Sequence, residues 1–238
     1  MGLNEISSSQ SFKDSQLVFP RVKTAFDEKE RLVKEIFKEK NLPFPPRGIF
    51  IRVFKQEKNL ELWAKPAKGD SFIFVKEYPV FEISGNPGPK RQEGDGQTPE
   101  GFYELSNFNP NSKFYLSLRV NYPNKSDHLL GTKENLGGDI YIHGNCVTIG
   151  CIPITDEQIK ELYVIAVEAV NAGERNIPVH IFPARLTQSG LENLLRENPS
   201  KPALEKFWRN IKEGYDFFEK EKRLPVIRVG NDGLYLFK

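Results

Sequence analysis

Of the 238 residues, 38% are hydrophobic and 12% aromatic, enough to bury a core, and 28% are charged. The net charge of +2 provides no concentrated cationic face of the kind that binds nucleic acid, so nucleic acid is not an expected partner. No apolar run approaches the roughly 20 residues of a membrane span, and two cysteines are too few for a disulfide-scaffolded miniature.

The opening MGLNEISSSQSFKDSQ has neither the basic start nor the apolar core of a signal peptide. Val22, Ala25, Phe26, Leu32, Val33, Ile36 and Phe37 then recur at helical spacing, predicting a surface helix that ends before the proline-rich NLPFPPRG. Residues 1–46 therefore read as an N-terminal helical extension and linker. IFIRVFK, LELWAK and SFIFVKEYPVF follow, with the alternation and the β-branched and aromatic content of an antiparallel meander. Between Ser84 and Gly101 lies SGNPGPKRQEGDGQTPEG, too long for a tight hairpin and of a size that is often functional. FYELSNF, FYLSLRVNY and DIYIHG resume the strand pattern. Thr155 and Gln158 have capping-box spacing, and Ile159, Leu162, Tyr163, Ala166 and Val170 form a helical stripe that Gly173 can stop. IPVHIFP is a further strand, closing a main body over residues 47–186. Residues 187–238 read as a C-terminal extension: Leu204, Phe207, Trp208, Ile211, Tyr215 and Phe218 lie on one helix face, and VIRVGNDGLYLF turns as a hairpin at Asn231, Asp232 and Gly233.

The chemistry concentrates in IHGNCVTIGCIPITDEQ, which holds one of the three histidines and both cysteines. A lone histidine or cysteine is usually structural. Here Gly144 follows His143 at a strand end, and Gly150 precedes Cys151 just before a helix cap. Glycines let backbone amides approach a substrate carbonyl, as an oxyanion hole requires. A cysteine nucleophile needs a base, and histidine is the usual one. A thiolate–imidazolium pair would place the Cys151 pKa below the free value of about 8.5.

His143-Gly144 followed by Thr148-Ile149-Gly150-Cys151 resembles the signature of the L,D-transpeptidase (YkuD) catalytic domain family. The upstream Gly94, Asp95, Thr98, Pro99, Glu100, Gly101 and Tyr103 resemble a second element of that family. The compressed HGNCVTIGC, with FNPNSKFYLSLRVNYPN, VHIFPARLT and FWRNIKEGYDFFE, is similar to the YafK-like branch. The resemblance runs from about Phe50 to the carboxyl end. It implies an α+β fold: an antiparallel β-rich domain with an N-terminal helix and a C-terminal helical extension plus hairpin. It also implies a cysteine enzyme of peptidoglycan stem peptides, with Cys151 as nucleophile and His143 as base. Gly144 and Gly150 would supply base-orienting and oxyanion-holding backbone, and the product would pass through a thioester. No cofactor and no metal are implied. Thr148, Tyr122 and Arg185 are candidate contacts for the anionic stem peptide, since arginine binds carboxylates bidentately. The branch is associated with an amidase that releases a lipoprotein's terminal lysine from diaminopimelate. The periplasm is the implied location, with any signal peptide removed.

Two departures fall beside the nucleophile. Ile152-Pro153-Ile154 stands where many members carry Arg and an Asn or Met, and the connection from His143 to Cys151 is short. Both bear on whether water or an amine resolves the thioester. Cys146 is expected to fill space beneath the loop, with a disulfide to Cys151 as the alternative. His143, Cys146, Cys151 and His180 can be drawn as a zinc site, but the spacing fits no standard zinc module. His180 is expected to be structural and His128 exposed. A cell-wall binding module is the non-enzymatic alternative, against which the intact Cys–His pair argues.

Overall fold

The computed structural model describes residues 10–132, 135–146 and 148–238. The amino-terminal stretch read for export therefore lies largely outside the described residues, as does Val147 in the connection between His143 and Cys151.

Two helices open the described chain. Ser11 caps α1 (Phe12–Leu17) by accepting the Asp14 N–H. Proline sits at the start of α2 (Pro20–Glu39), where its missing N–H goes unneeded. The predicted stripe buries Val22, Ala25, Phe26, Val33 and Phe37, whereas Leu32 is exposed. The meander follows as predicted: β1 (Ile49–Phe54) pairs antiparallel with β2 (Asn59–Ala64), and β2 with β3 (Ile73–Pro79). β4 (Gly101–Asn109) and β5 (Ser117–Val120) are also antiparallel. A short α3 (Lys125–Leu130), absent from the sequence reading, starts at a capping box between Asn124 and Asp127. Beyond it come β6 (Tyr141–His143), β7 (Ile152–Pro153) and α4 (Asp156–Asn171), the last capped reciprocally by Thr155 and Gln158 as predicted. β8 (Pro178–Phe182), α5 (Gln188–Glu197), α6 (Pro202–Glu221) and the hairpin β9 (Ile227–Val229) and β10 (Tyr235–Phe237) complete the chain.

Eight strands form one curled sheet in the order β3-β2-β1-β8-β4-β5-β6-β7. It is mostly antiparallel, as expected, but β8 lies parallel to β1 and β7 parallel to β6. β1 and β8 are far apart in the chain with several elements between them, whereas β6 and β7 are joined by the short turn 144–151. Helices cover both faces, so every residue of β1 is buried. Side-chain alternation divides them. Ile51 and Val53 join α2 and α4 in one core, while Phe54, Phe102 and Phe182 join Trp208, Ile211 and Tyr215 of α6 in another.

A buried ion network ties α6 to the sheet. Arg52 pairs with Glu61 at 2.7 Å and Glu219 at 2.6 Å, and Trp63 Nε1 donates to Glu61 at 2.9 Å. Arg185 pairs with the same Glu61 at 2.7 Å, and its guanidinium lies over the Phe54 ring. The guanidinium expected to contact substrate is thus paired with Glu61 on the α6 side of the sheet.

Candidate active site

The parallel register between β6 and β7 sets Ile142 against Ile152 and His143 against Pro153. Continued one step back, it puts Cys151 beside Tyr141. Tyr141 and His143 are two residues apart on one strand and share a face. The histidine and the thiol therefore lie on one face at the β7 end of the sheet, although they are separated by a non-repetitive turn in sequence.

His143 is 1% exposed, with its ring stacked on Phe114 at a centroid distance of 4.6 Å. Nδ1 lies 2.5 Å from the Gly144 carbonyl oxygen. A carbonyl can only accept, so Nδ1 carries the proton and Nε2 keeps its lone pair. Nε2 is buried and has no hydrogen-bond partner among the described residues. Burial holds the His143 pKa below its ordinary value, with the Gly144 carbonyl opposing that shift. The imidazole is thus a neutral base at neutral pH.

Cys151 is partly exposed and is a free thiol. Its S–H donates to the Asp139 carbonyl at 3.3 Å. Burial pushes the thiol pKa up; the Tyr141 amide opposes this and the Asp139 carboxylate adds to it. The thiolate–imidazolium expectation is corrected accordingly. Both groups are partly desolvated, and burial penalises the charged form of each, so the resting pair is a neutral thiol and a neutral imidazole.

The turn between them is tightly built. A Cβ on Gly144 would stand 2.4 Å from Asp156 Oδ1 and 3.0 Å from the Phe114 carbonyl oxygen, so only glycine fits. Asn145 adopts a left-handed φ of 66° and accepts the Cys146 N–H on its own Oδ1 at 2.6 Å. Gly150 has φ 92°, and its N–H donates to Ser84 Oγ at 2.6 Å. The Gly150 amide, expected to hold the oxyanion, is therefore engaged by Ser84 in this structure. Thr148 Oγ1 donates to the Cys151 carbonyl at 2.8 Å, closing the turn rather than facing a ligand. Cys146 is exposed, which overturns its expected packing role.

The long Gly- and Pro-rich segment walls this corner. Asp95 accepts Lys90 Nζ at 2.7 Å and the backbone N–H groups of Arg91, Gln92 and Gln97, which folds the segment on itself. These bonds hold its pKa below the usual carboxylate range against a desolvation that works the other way. Glu100 is fully buried and accepts from Lys55, the Gly88 N–H and Trp208 Nε1. The Tyr103 hydroxyl donates to Asp127. The motif residues of this segment thus serve as scaffold. Next to Asp139, whose carbonyl accepts the thiol S–H, they leave a cavity of about 170 Å³, lined among others by Lys90, Glu93, Gly138, Asp139 and Ile149 but by neither His143 nor Cys151.

Tyr122 is 3% exposed and its hydroxyl donates to the Leu136 carbonyl at 3.1 Å, so it is a wall residue and not the substrate contact expected of it. His180 sits buried between Phe50 and Phe102, each ring 4.6 Å away, and His128 is exposed on α3, both as expected. Among the described residues no group of three or more His, Cys, Asp or Glu side chains is placed to hold a metal ion. Ser84, Phe114, Asp139 and Asp156 were missed by sequence reasoning. Three of them act through backbone contacts or ring stacking that no local pattern reports, and Asp156 accepts the N–H of Asn145 from across the turn.

The family model of the L,D-transpeptidase catalytic domain (YkuD) matches residues 49–181, which include His143 and Cys151. Over 185 residues the chain is 32% identical to YafK of Escherichia coli (strain K12), named as an L,D-transpeptidase, with 77% of this chain and 71% of YafK covered. Pgp2 of Campylobacter jejuni, a helical cell shape determining protein, aligns with a TM-score of 0.46 at 20% identity over 86% of this chain and 81% of that one. A mutant form of Pgp2 gives 0.45 at 24% identity over 68% of this chain and 56% of that one, so this chain spans about half the length of that form. The chain belongs to the YkuD family of L,D-transpeptidase catalytic domains, cysteine enzymes that act on peptidoglycan.

Proposed function

We propose that the protein is a peptidoglycan amidase that attacks the L-centre carbonyl of diaminopimelate in stem peptides and releases a lysine through which a lipoprotein is attached. The observation that carries the reading is the buried, unpartnered Nε2 of His143 at the same end of the sheet as the Cys151 thiol. Rotation of the Cys151 side chain away from the Asp139 carbonyl hands the thiol proton to Nε2 as Sγ attacks the carbonyl carbon. The Cys151 backbone N–H faces the developing oxyanion. When the tetrahedral intermediate collapses, the C–N bond breaks and Nε2 returns the proton to the leaving amine. A water molecule, deprotonated by Nε2, then cleaves the thioester and regenerates the thiol.

Hydrolysis is favoured over amine transfer by the shape of the corner. Of the described residues between His143 and Cys151, Ile149 lines the cavity next to Asp139, and the rest of the lining comes from other loops. So short a connection builds little of a pocket for a second stem peptide, and water needs none. The setting is extracytoplasmic, and we assign it to the periplasm. Among the described residues no helix is long and apolar enough to cross a membrane.

The test is mass analysis after incubation with peptidoglycan carrying the attached lipoprotein or its terminal lysine. Free lysine-terminated product and tripeptide stems are expected from the native protein and not from Cys151→Ala. Abundant diaminopimelate–diaminopimelate dimers from tetrapeptide stems, with no lysine release, would assign amine transfer instead.

A further inference from the structure

One peptide unit lies between His143 and Asp156. Its carbonyl is that of Gly144, which accepts the His143 Nδ1–H at 2.5 Å. Its N–H is that of Asn145, which donates to Asp156 Oδ1 at 2.9 Å. A trans peptide is planar, with its C=O and N–H pointing in opposite directions. Fixing the N–H on one side therefore fixes the carbonyl on the other. The space beside it is tight: a Cβ on Gly144 would stand 2.4 Å from Asp156 Oδ1 and 3.0 Å from both Ile159 and the Phe114 carbonyl oxygen.

We infer that Asp156 is a positioning residue that holds the tautomer and orientation of His143 through this single peptide unit, doing by relay what the aspartate of a Ser–His–Asp triad does by direct contact. The inference rests on the reading of His143 as the base. A carboxylate accepting the N–H polarises the amide and strengthens its carbonyl as an acceptor. That carbonyl then stabilises the imidazolium formed when Nε2 takes the thiol proton. No proton moves along the relay: Asp156 stays ionised, the amide keeps its hydrogen, and Nδ1 keeps its own.

Asp156 is suited to the place. It begins α4, where the helix dipole favours a negative charge. The Thr155–Gln158 capping box anchors the helix start independently. Among the described residues Asp156 forms no ion pair; with Arg21 and Glu28 from α2 and Lys160 from α4 it is among the charges that act on the Tyr115 hydroxyl, and Glu157 is its neighbour on α4. Lys160 is held by Glu28 at 2.6 Å and Glu157 at 2.7 Å, so the cation nearest this corner is already neutralised. On the thiol side the facing groups are Asp139, Arg119 and Tyr141.

The experiment compares the native protein with Asp156→Asn, Asp156→Ala and His143→Ala on a lysine-bearing muropeptide, measuring kcat and KM against pH. Imidazole nitrogen NMR reads the His143 tautomer. Asp156→Ala is expected to lower kcat by about 10–100-fold, the usual cost of removing a group that orients a functional histidine, with little change in KM. It should also mix the two tautomers. Asp156→Asn keeps an acceptor of the same shape, so its tautomer should stay fixed. Loss of the negative charge weakens the base, and the acid limb of its kcat/KM profile should move to lower pH. Native kcat, pH profile and tautomer in Asp156→Asn together with native kcat in Asp156→Ala would overturn the relay. If Asp156→Ala fails to fold, a native profile in the isosteric Asn variant overturns it alone. Inactive His143→Ala beside unaffected Asp156 variants would remove the relay and leave the base in place, whereas active His143→Ala would remove both.

Discussion

Removing the Glu100 carboxylate tests the conclusion that the Thr98-Pro99-Glu100-Gly101 element is scaffold. Glu100 Oε1 accepts Lys55 Nζ at 2.8 Å and the Gly88 N–H at 2.7 Å, and Oε2 accepts Trp208 Nε1 at 2.9 Å. Glu100→Ala strands the Lys55 ammonium, which is 4% exposed, and leaves two donors without acceptors. Lys55 retains the Gly88 and Thr98 carbonyls at 2.8 and 2.9 Å, which soften the loss without supplying a countercharge. Breaking one side of a buried ion pair costs about 3–5 kcal/mol, and each donor left unsatisfied adds about 1–3 kcal/mol unless water reaches it. A total of about 5 kcal/mol, the low end of that sum, corresponds to a fall in Tm of roughly 10–20 °C for a chain of this size. Urea unfolding gives the free energy and calorimetry the Tm. The double variant Lys55→Met/Glu100→Leu should recover much of the loss, because two apolar groups leave no charge stranded. A cost below about 1 kcal/mol for Glu100→Ala, well under the range for a buried pair, would refute the burial and pairing argument.

Three further outcomes are expected. Alkylation of native Cys151 should accelerate only above the free-thiol range of about 8.5, because burial raises its pKa; fast labelling near neutral pH would show a thiolate instead. Cys146→Ala should keep most of the activity, since that thiol is exposed and the turn is held by backbone and Asn145; a loss equal to that of Cys151→Ala would give Cys146 a direct part in the chemistry. His180 is driven down to about 3 by burial, with the Arg52 charge adding to the effect. The unfolded chain therefore binds a proton that the folded one refuses, and stability should fall by about 1.4 kcal/mol per pH unit as pH drops from about 6.5 towards 3. Denaturant titrations at a series of pH values check this, and His180→Phe should flatten the slope in that window.

Periodicity carried most of the fold. The α4 stripe, the α6 aromatic face, the first meander and the terminal hairpin are all local patterns, and each formed where its spacing put it. α3 escaped because six residues hold no more than a turn and a half of helix, and its start depends on the Asn124–Asp127 exchange rather than on an apolar face. β7 escaped because two residues carry no alternation. The parallel pairing of β8 with β1 was equally out of reach, since register between strands more than a hundred residues apart is not written in either one.

The resemblance of HGNCVTIGC to a family signature singled out Cys151, His143 and the two glycines beside them as candidates. Their protonation states and partners came only from tertiary packing. Burial sets the thiol and imidazole neutral, where sequence logic expected an ion pair, and desolvation is a property of what surrounds a group in space. The same holds for the candidate contacts. Arg185 lost its charge to Glu61, Tyr122 its hydroxyl to the Leu136 carbonyl and Gly150 its amide to Ser84. In the other direction, Asp156 reached His143 through a peptide unit. Residue type decides what a side chain or amide can bond. Which partner claims it depends on the strands and helices that the fold brings within about 3 Å, the reach of a hydrogen bond.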